Sequence, residues 1–289
     1  MSINEIKIIS KPDEVQNIAR KWKKDGISIG LVPTMGYLHD GHRSLIQRAC
    51  HENDKVIVSI FVNPIQFGEN EDLSSYPRDF EADAAMCREE GVAILFHPEP
   101  SDMYGDNFMS HVEVEKLTGI LCGRTRPTHF RGVTTVVNKL FNISKADRAY
   151  FGEKDAQQLA VIRRMVTDLN IDIEICGCPT VREIDGLAKS SRNKYLSAEE
   201  RKAATILSQA LTIGRKMLDE GERDASKIKT AMISAIENEP LSNIDYVSIV
   251  DSNFLTTIPG TITDSVLVAL AVKIGSTRLI DNFTYEITQ

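Results

Sequence analysis

Two rhythms of apolar residues alternate along the first two thirds of the chain. Short β-branched runs at residues 6–9, 27–32, 55–62, 92–96, 148–151 and 171–175 read as strands. The run 55–62, KVIVSIFV, is apolar at nearly every position, as expected of a parallel strand covered on both faces. Between the runs, apolar residues recur every three or four positions. The spacing predicts helices around 13–24, from Ser44 onward (Leu45, Ile46, Ala49), and over 79–90 with Gly91 as its stop. It predicts two more through Val133, Val136, Val137, Leu140 and Phe141, and through Leu159, Ile162, Met165, Val166 and Leu169. The connection 98–126 carries only one short strand candidate, 111–115, and a connection of that length is often functional.

Strand–helix alternation of this kind implies an α/β fold with a doubly wound, parallel, Rossmann-like sheet and right-handed crossovers. The rhythm changes after Arg182. Ser197-Ala198-Glu199-Glu200 is a capping box that opens one long helix to about Glu220, and a second helix fits 225–238. Strands follow at 244–250, 266–274 and 277–283, with Gly275 in the last turn. Two helices on a small sheet make a smaller C-terminal α+β domain. The expected division is 1–183 and 184–289.

Composition narrows the class. The chain has 289 residues, 34 Lys and Arg against 41 Asp and Glu, and a net charge of −7. That balance argues against a broad nucleic-acid-binding surface, so any polyanion site must be built from a few placed cations and helix ends. The five cysteines, Cys50, Cys87, Cys122, Cys176 and Cys178, are odd in number and lack CxxC spacing, which disfavours a disulfide framework or a four-cysteine zinc site. Cys176 and Cys178 read instead as small residues on one face of a strand. No signal-type apolar region opens the sequence and no apolar run reaches membrane-spanning length, so the expectation is a cytoplasmic protein with no membrane partner.

Candidate chemistry begins at the second strand. Pro33 ends its ladder, and a turn with Gly36, Gly41, His39 and His42 precedes the helix. A strand, a glycine-containing turn and a helix start favour a bound anion through backbone N–H groups and the helix dipole. The HxxH spacing could be half of a metal site, but it lacks the HExxH pattern and a third ligand. Asn63 and Gln66 follow the end of the third strand, where ligands bind in open α/β sheets; Asn63-Pro64 read alone could equally start a turn. Arg126 and His129 lie just before a helix, a cluster that could also be a solvated basic turn. Gly152 frees the backbone after a strand, Lys154 offers a point charge suited to phosphate, and Gln158 lies one helical turn beyond it.

His39-Asp40-Gly41-His42 resembles the HxGH signature of the adenylyl-transferring nucleotidyltransferases. The longer string Pro33-Thr34-Met35-Gly36-Tyr37-Leu38-His39-Asp40-Gly41-His42 is similar to that of the pantothenate synthetase (pantoate–β-alanine ligase) family. Four further stretches resemble the same family in the same order: 60–67 (IFVNPIQF), 126–133 (RPTHFRGV), 151–158 (FGEKDAQQ) and 185–193 (DGLAKSSRN), together with Tyr76-Pro77-Arg78.

The resemblance implies an ATP-dependent ligation of pantoate and β-alanine through a pantoyl adenylate, releasing AMP and pyrophosphate. It implies that Met35, Gly36, Tyr37, Leu38, His39, Asp40, Gly41 and His42 wrap ATP, with His42 in the general-acid position. Simple charge stabilisation by His42 is equally compatible with the residues. Gly152, Glu153, Lys154 and Asp155 would bind the nucleotide, Lys154 at its phosphates and Asp155 at its ribose. Val181, Lys189, Ser190, Ser191 and Arg192 would complete the ATP set. His39, His42, Lys154 and Arg192 would be the catalytic group.

Gln66 and Gln158 fall where the family holds pantoate, and Gln66 lies toward β-alanine; Asn63, Arg126 and His129 join the substrate set. Mg²⁺ would accompany ATP, held mainly by phosphate and water, with Asp83 a possible protein contact. A homodimer is implied by analogy, and closure of the C-terminal domain as a lid is compatible with it. Lys189 departs from the apolar residue common at its position. Two other readings remain at this point. One is a nucleotidyltransferase acting on a phosphorylated acceptor, disfavoured by the neutral amides of Gln66 and Gln158. The other is an ATP-sensing module, disfavoured by the full set His39, His42, Lys154 and Arg192.

Overall fold

The structure, a computed structural model, describes residues 6–69, 71–252 and 255–287. The ends of the two expected domain ranges, 1–5 and 288–289, therefore lie outside the described residues. The chain divides into two compact units. Unit one is Met1–Gly119, Gly123–Glu153 and Val161–Pro179; unit two is Ile120–Cys122, Lys154–Ala160 and Thr180–Gln289.

In chain order, the strands and helices up to Pro179 are β1 (Lys7–Ile9), α1 (Pro12–Lys24), β2 (Ile29–Thr34), α2 (Asp40–Glu52), β3 (Lys55–Ile60), α3 (Phe80–Glu89) and β4 (Ile94–Phe96). They continue with α4 (Pro100–Met103), α5 (Cys122–Thr125), α6 (His129–Ser144), β5 (Arg148–Gly152), α7 (Ala156–Asp168) and β6 (Glu174–Cys178). The six strands are parallel in the order β1-β4-β3-β2-β5-β6. The order reverses direction at β2, which has β3 on one side and β5 on the other. That is the switch point at which open α/β sheets bind ligands, beyond the carboxyl ends of the strands.

Both faces of the central strands are buried: Ile29, Leu31, Val32, Ile57 and Val58 are at most 1% exposed. Each such side chain contributes about 1.5–3 kcal/mol on leaving water. Leu45, Ile46 and Ala49 of α2 pack with Val32, Val56 and Val58 of the sheet, and Cys176 and Cys178 join that cluster. They behave as the small strand residues expected.

Five elements differ from the sequence reading: β2 does not end at Pro33 but pairs through it, Pro33 with Ser59 and Thr34 with Ile60, and four others differ for local reasons. Helix α2 begins at Asp40 rather than Ser44, because its first turn is polar and histidine-capped, not apolar. The 111–115 candidate is not a strand. The N–H of Val112 donates to Thr135 Oγ1 and its carbonyl accepts from Thr134 Oγ1, so helix side chains satisfy this backbone in place of a ladder. Strand β6 starts at Glu174 because 171–173 is still occupied by turn bonds, such as Ile171 N to Val166 O. The expected 197–220 helix is two helices, α8 (Ala198–Ala203) and α9 (Ile206–Asp219). Between them Thr205 gives both its N–H and its hydroxyl to Lys202 O, an i→i−3 tightening that interrupts the α ladder.

Unit two is completed by α10 (Ala225–Glu237) and an antiparallel sheet of β7 (Ser242–Asp251), β8 (Val266–Ile274) and β9 (Thr277–Tyr285). Its core joins Leu207, Leu211 and Leu218 of α9 and Ile228, Met232 and Ile236 of α10 to Val268, Leu270, Val272, Leu279 and Phe283 of the sheet. Among the described residues, no helix is long and apolar enough to cross a membrane.

Candidate active site

The corner between β2 and α2 is held by its own backbone. Thr34 Oγ1 donates to Ser59 O (2.7 Å) and accepts from Gly36 N (3.1 Å). Gly36 sits at φ +84, and a Cβ there would meet Ile60 Cγ2 at 2.9 Å and Asp83 Oδ2 at 3.0 Å. Only glycine satisfies both demands. Tyr37 follows at φ +52, an uncommon conformation for a bulky residue.

Asp83 clamps this turn from α3. Its Oδ2 accepts the N–H of Tyr37 (2.8 Å) and its Oδ1 that of Leu38 (2.6 Å). The residue is 2% exposed. Burial pushes its carboxyl above the ordinary value, and the two amide bonds oppose that rise without cancelling it. Asp83→Ala is expected to lower unfolding free energy by about 2–4 kcal/mol, since it strands two half-buried amides and releases the strained turn. Urea denaturation checks this; an unchanged midpoint would mean that the turn holds itself.

The two histidines cap α2 reciprocally. His39 Nδ1 accepts the N–H of Gly41 (3.1 Å), and His42 Nδ1 accepts the N–H of His39 (3.3 Å). Their rings lie 4.1 Å apart. An Nδ1 that accepts a backbone hydrogen cannot carry one itself. Each neutral ring therefore holds its proton on Nε2. The sequence pointed to these histidines as ligands of an anion; the structure adds that they also build the helix end.

Gln66 lies in a short 3₁₀ turn, Pro64–Gln66, beyond β3. Its Nε2 donates to Met35 Sδ (3.0 Å), which ties it to the β2 corner. Its carbonyl faces His129 Nδ1 (2.9 Å), and its Oε1 accepts from Asn63 Nδ2 (3.1 Å). Asn63 also donates to Gly132 O (3.1 Å) and accepts from Tyr104 OH (2.8 Å). Asn63, expected as a substrate contact, is 1% exposed and braces Gln66, with both ends of its amide engaged. Gly132 makes this packing possible: a Cβ there would lie 2.5 Å from Ile65 O and 2.6 Å from Gln66 Cα.

Arg126 forms a bidentate pair with Glu71, both bonds 2.6 Å long. Burial alone would raise the Glu71 carboxyl, but the guanidinium outweighs it and holds that carboxyl below its usual range. Arg126 thus already has a carboxylate partner within unit one.

The remaining expected residues lie at or beyond the end of β5. Gly152 ends the strand, and Glu153, Lys154 and Asp155 form a 3₁₀ turn ahead of α7. In unit two, Lys154 Nζ is 3.5 Å from Asp155 Oδ2. Gln158 falls in the first turn of α7, with Lys154 just before the helix instead of on it. Val181 and Lys189 pair across a hairpin, Lys189 N to Val181 O at 2.9 Å, and Lys189 Nζ sits 3.3 Å from Glu183 Oε2. Ser190 caps the 3₁₀ turn Ser191–Tyr195, accepting from Arg192 N.

Among the described residues, no group of three or more His, Cys, Asp and Glu is placed to hold a metal ion. Asp83, expected as a possible metal contact, has each of its oxygens accepting a backbone amide. The residues that sequence reading missed are mostly holders: Glu71, Tyr104 and Gly132, with Asp83 recast. Only Gly132, a glycine inside a helical pattern, carried a legible signal.

A parallel sheet with a histidine-capped HxGH corner at its switch point defines an α/β protein of the nucleotidyltransferase type. The chain matches the Pantoate-beta-alanine ligase family over residues 7–284 and belongs to that family of ligases. It is 61% identical over 282 residues to the pantothenate synthetase of Clostridium acetobutylicum, covering 98% of this chain and 100% of that one. To the pantothenate synthetase of Enterococcus faecalis it is 59% identical over 280 residues, covering 97% and 99%. The crystal structure of Thermus thermophilus pantothenate synthetase superposes with a TM-score of 0.91 at 44% identity, covering 96% and 98%. That of Francisella tularensis pantoate-beta-alanine ligase, complexed with Beta-gamma ATP and beta-alanine, gives 0.79 at 35%, covering 96% and 97%.

Proposed function

We propose that the chain joins pantoate to β-alanine in two steps at the expense of ATP. A pantoate carboxylate oxygen attacks the α-phosphorus and pyrophosphate leaves; the β-alanine amine then attacks the acyl carbon of the pantoyl adenylate, and AMP leaves with the C–O electron pair. The amine proton lost on forming the amide passes to water or buffer. The observation that carries this reading is the reciprocal cap at His39 and His42. It supports two Nε2–H donors at the positive end of a 13-residue helix, where negative charge on a phosphate is stabilised.

The other assignments follow the motif match. Lys154, Ser190, Ser191 and Arg192 supply donors to the phosphates, Asp155 the ribose, and Val181, Gly152 and Glu153 backbone surroundings. Gln66 and Gln158 bind pantoate, with neutral amides that both donate and accept. His129 acts on the pantoate side by fixing the Gln66 carbonyl. A phosphorylated acceptor would call for cations at Gln66, and the amide held by Asn63 and Met35 speaks against that reading. Mg²⁺ supplies charge neutralisation when bound, held by phosphates and water in the absence of a described protein cage. A homodimer in the cytoplasm remains part of the proposal, checked by sedimentation of the pure protein.

The test is ATP–pyrophosphate isotope exchange. Exchange that needs pantoate but not β-alanine is the expected result; no pantoate-dependent exchange from folded protein would sink the adenylate.

A further inference from the structure

Strand β9 carries two consecutive buried polar residues, Asp281 at 2% and Asn282 at 9% exposure. Successive strand side chains point to opposite faces. Leu279 and Phe283 belong to the helix-covered core, so Asp281 shares their face, and Arg278 and Asn282 share the other. On the core side, Asp281 accepts the fork of Arg182, Nη1 to Oδ2 at 2.6 Å and Nη2 to Oδ1 at 2.9 Å. Arg182 Nη1 also donates to Gly186 O (3.0 Å), so the pair spans the hairpin that carries Val181 and Lys189. On the other side, Asn282 Nδ2 donates to Lys154 O (2.7 Å). Arg278 reaches Cys122 Sγ (3.5 Å) on the same side, and the 120–122 strap braces Gln157 through Cys122 N to Gln157 Oε1 (2.9 Å).

A buried ion pair is a poor source of stability, because desolvation offsets its attraction; what it supplies reliably is geometry. We infer that Asp281 and Asn282 are positioning residues that set, from opposite faces of one strand, the two segments of unit two proposed to bind ATP. Asn282 fixes the backbone of Lys154, and Asp281 fixes the hairpin leading to Lys189, Ser190, Ser191 and Arg192. The inference rests on the ATP reading above.

The test uses the full chain with Asn282→Asp, which keeps size and shape but turns the donor toward Lys154 O into an acceptor. Misplacement by about 1 Å can cost about a hundredfold in rate. The expected result is a rise of about tenfold or more in KM for ATP and KM for pantoate within about twofold of wild type, with a lowered melting temperature because a carboxylate now faces the Lys154 carbonyl. Arg182→Lys, which keeps charge but loses the fork, is expected to show the same split and carries the test if Asn282→Asp does not fold. An unchanged KM for ATP in folded variants, with or without a fall in melting temperature, overturns the inference. Wild-type protein without pantoate-dependent exchange would instead overturn the ATP reading itself.

Discussion

His42→Ala is expected to slow pantoate-dependent ATP–pyrophosphate exchange by about 10²–10³-fold, the usual cost of losing one preorganised donor. His42→Gln is expected to stay within about tenfold of wild type, retaining a neutral donor near the place of Nε2. The contrast follows from the cap. With Nδ1 accepting from the His39 amide, a neutral His42 carries its proton on Nε2. Giving that proton away would leave an imidazolate, which neutral water does not support. Taking up a second would put a hydrogen on Nδ1 against the His39 N–H and break the cap. Under the function proposed above, the ring acts as a fixed dipole toward developing phosphate charge. If Gln proved as damaging as Ala, proton transfer by the imidazole would be the better account.

Gly132→Ala is expected to be as severe, through packing rather than chemistry. A methyl at this position meets Ile65 O at 2.5 Å, Gln66 Cα at 2.6 Å and Gln66 N at 2.7 Å. All three are backbone atoms, so no side chain can rotate away. Either α6 or the 3₁₀ turn must move, at a cost toward the upper end of overpacking, about 3 kcal/mol. If the turn moves, Gln66 is drawn off Met35; if α6 moves, Asn63 loses Gly132 O and the Gln66 carbonyl loses His129, so Gln66 is no longer held from both sides. The expected readouts are a lowered unfolding midpoint and a rise of about tenfold or more in KM for pantoate, with ATP binding less affected. An unchanged KM for pantoate would mean that Gln66 is not the residue that holds it.

The parallel strands were legible because burial on both faces leaves an apolar signature that needs no tertiary knowledge. Helix α2 was legible only from Leu45 onward, because histidine is an unusual cap and its role depends on a ring placed three residues away. The motif residues could be named, yet the use of several could not. Asn63 and Gln66 look alike in sequence, both polar residues after an apolar strand. In the fold Asn63 turns its amide to Gln66, Gly132 and Tyr104, and Gln66 turns its own to Asn63 and Met35, partners that neither letter announces. Asp83 carried the same ambiguity, since a carboxylate on a helix has the same letter whether it faces a metal, water or two amides from another loop. Glu71 and Arg126 are 55 positions apart, and nothing local announces such a pair. The break at Thr205 depends on a hydroxyl choosing a backbone carbonyl, which periodicity does not register.

The clamp at Asp83 has a consequence for what the corner can recognise. Two adjacent backbone N–H groups, from Tyr37 and Leu38, each take one oxygen of the same carboxylate, and such a pair is by itself a receptor for an anion. The chain fills that receptor with its own carboxylate. Free phosphate or sulfate finds it already occupied, and on the proposed ATP reading the polyphosphate takes the next opening along, at the first turn of α2. A side chain acting as a permanent internal ligand thus sorts one anion-binding position from its neighbour only a few residues away.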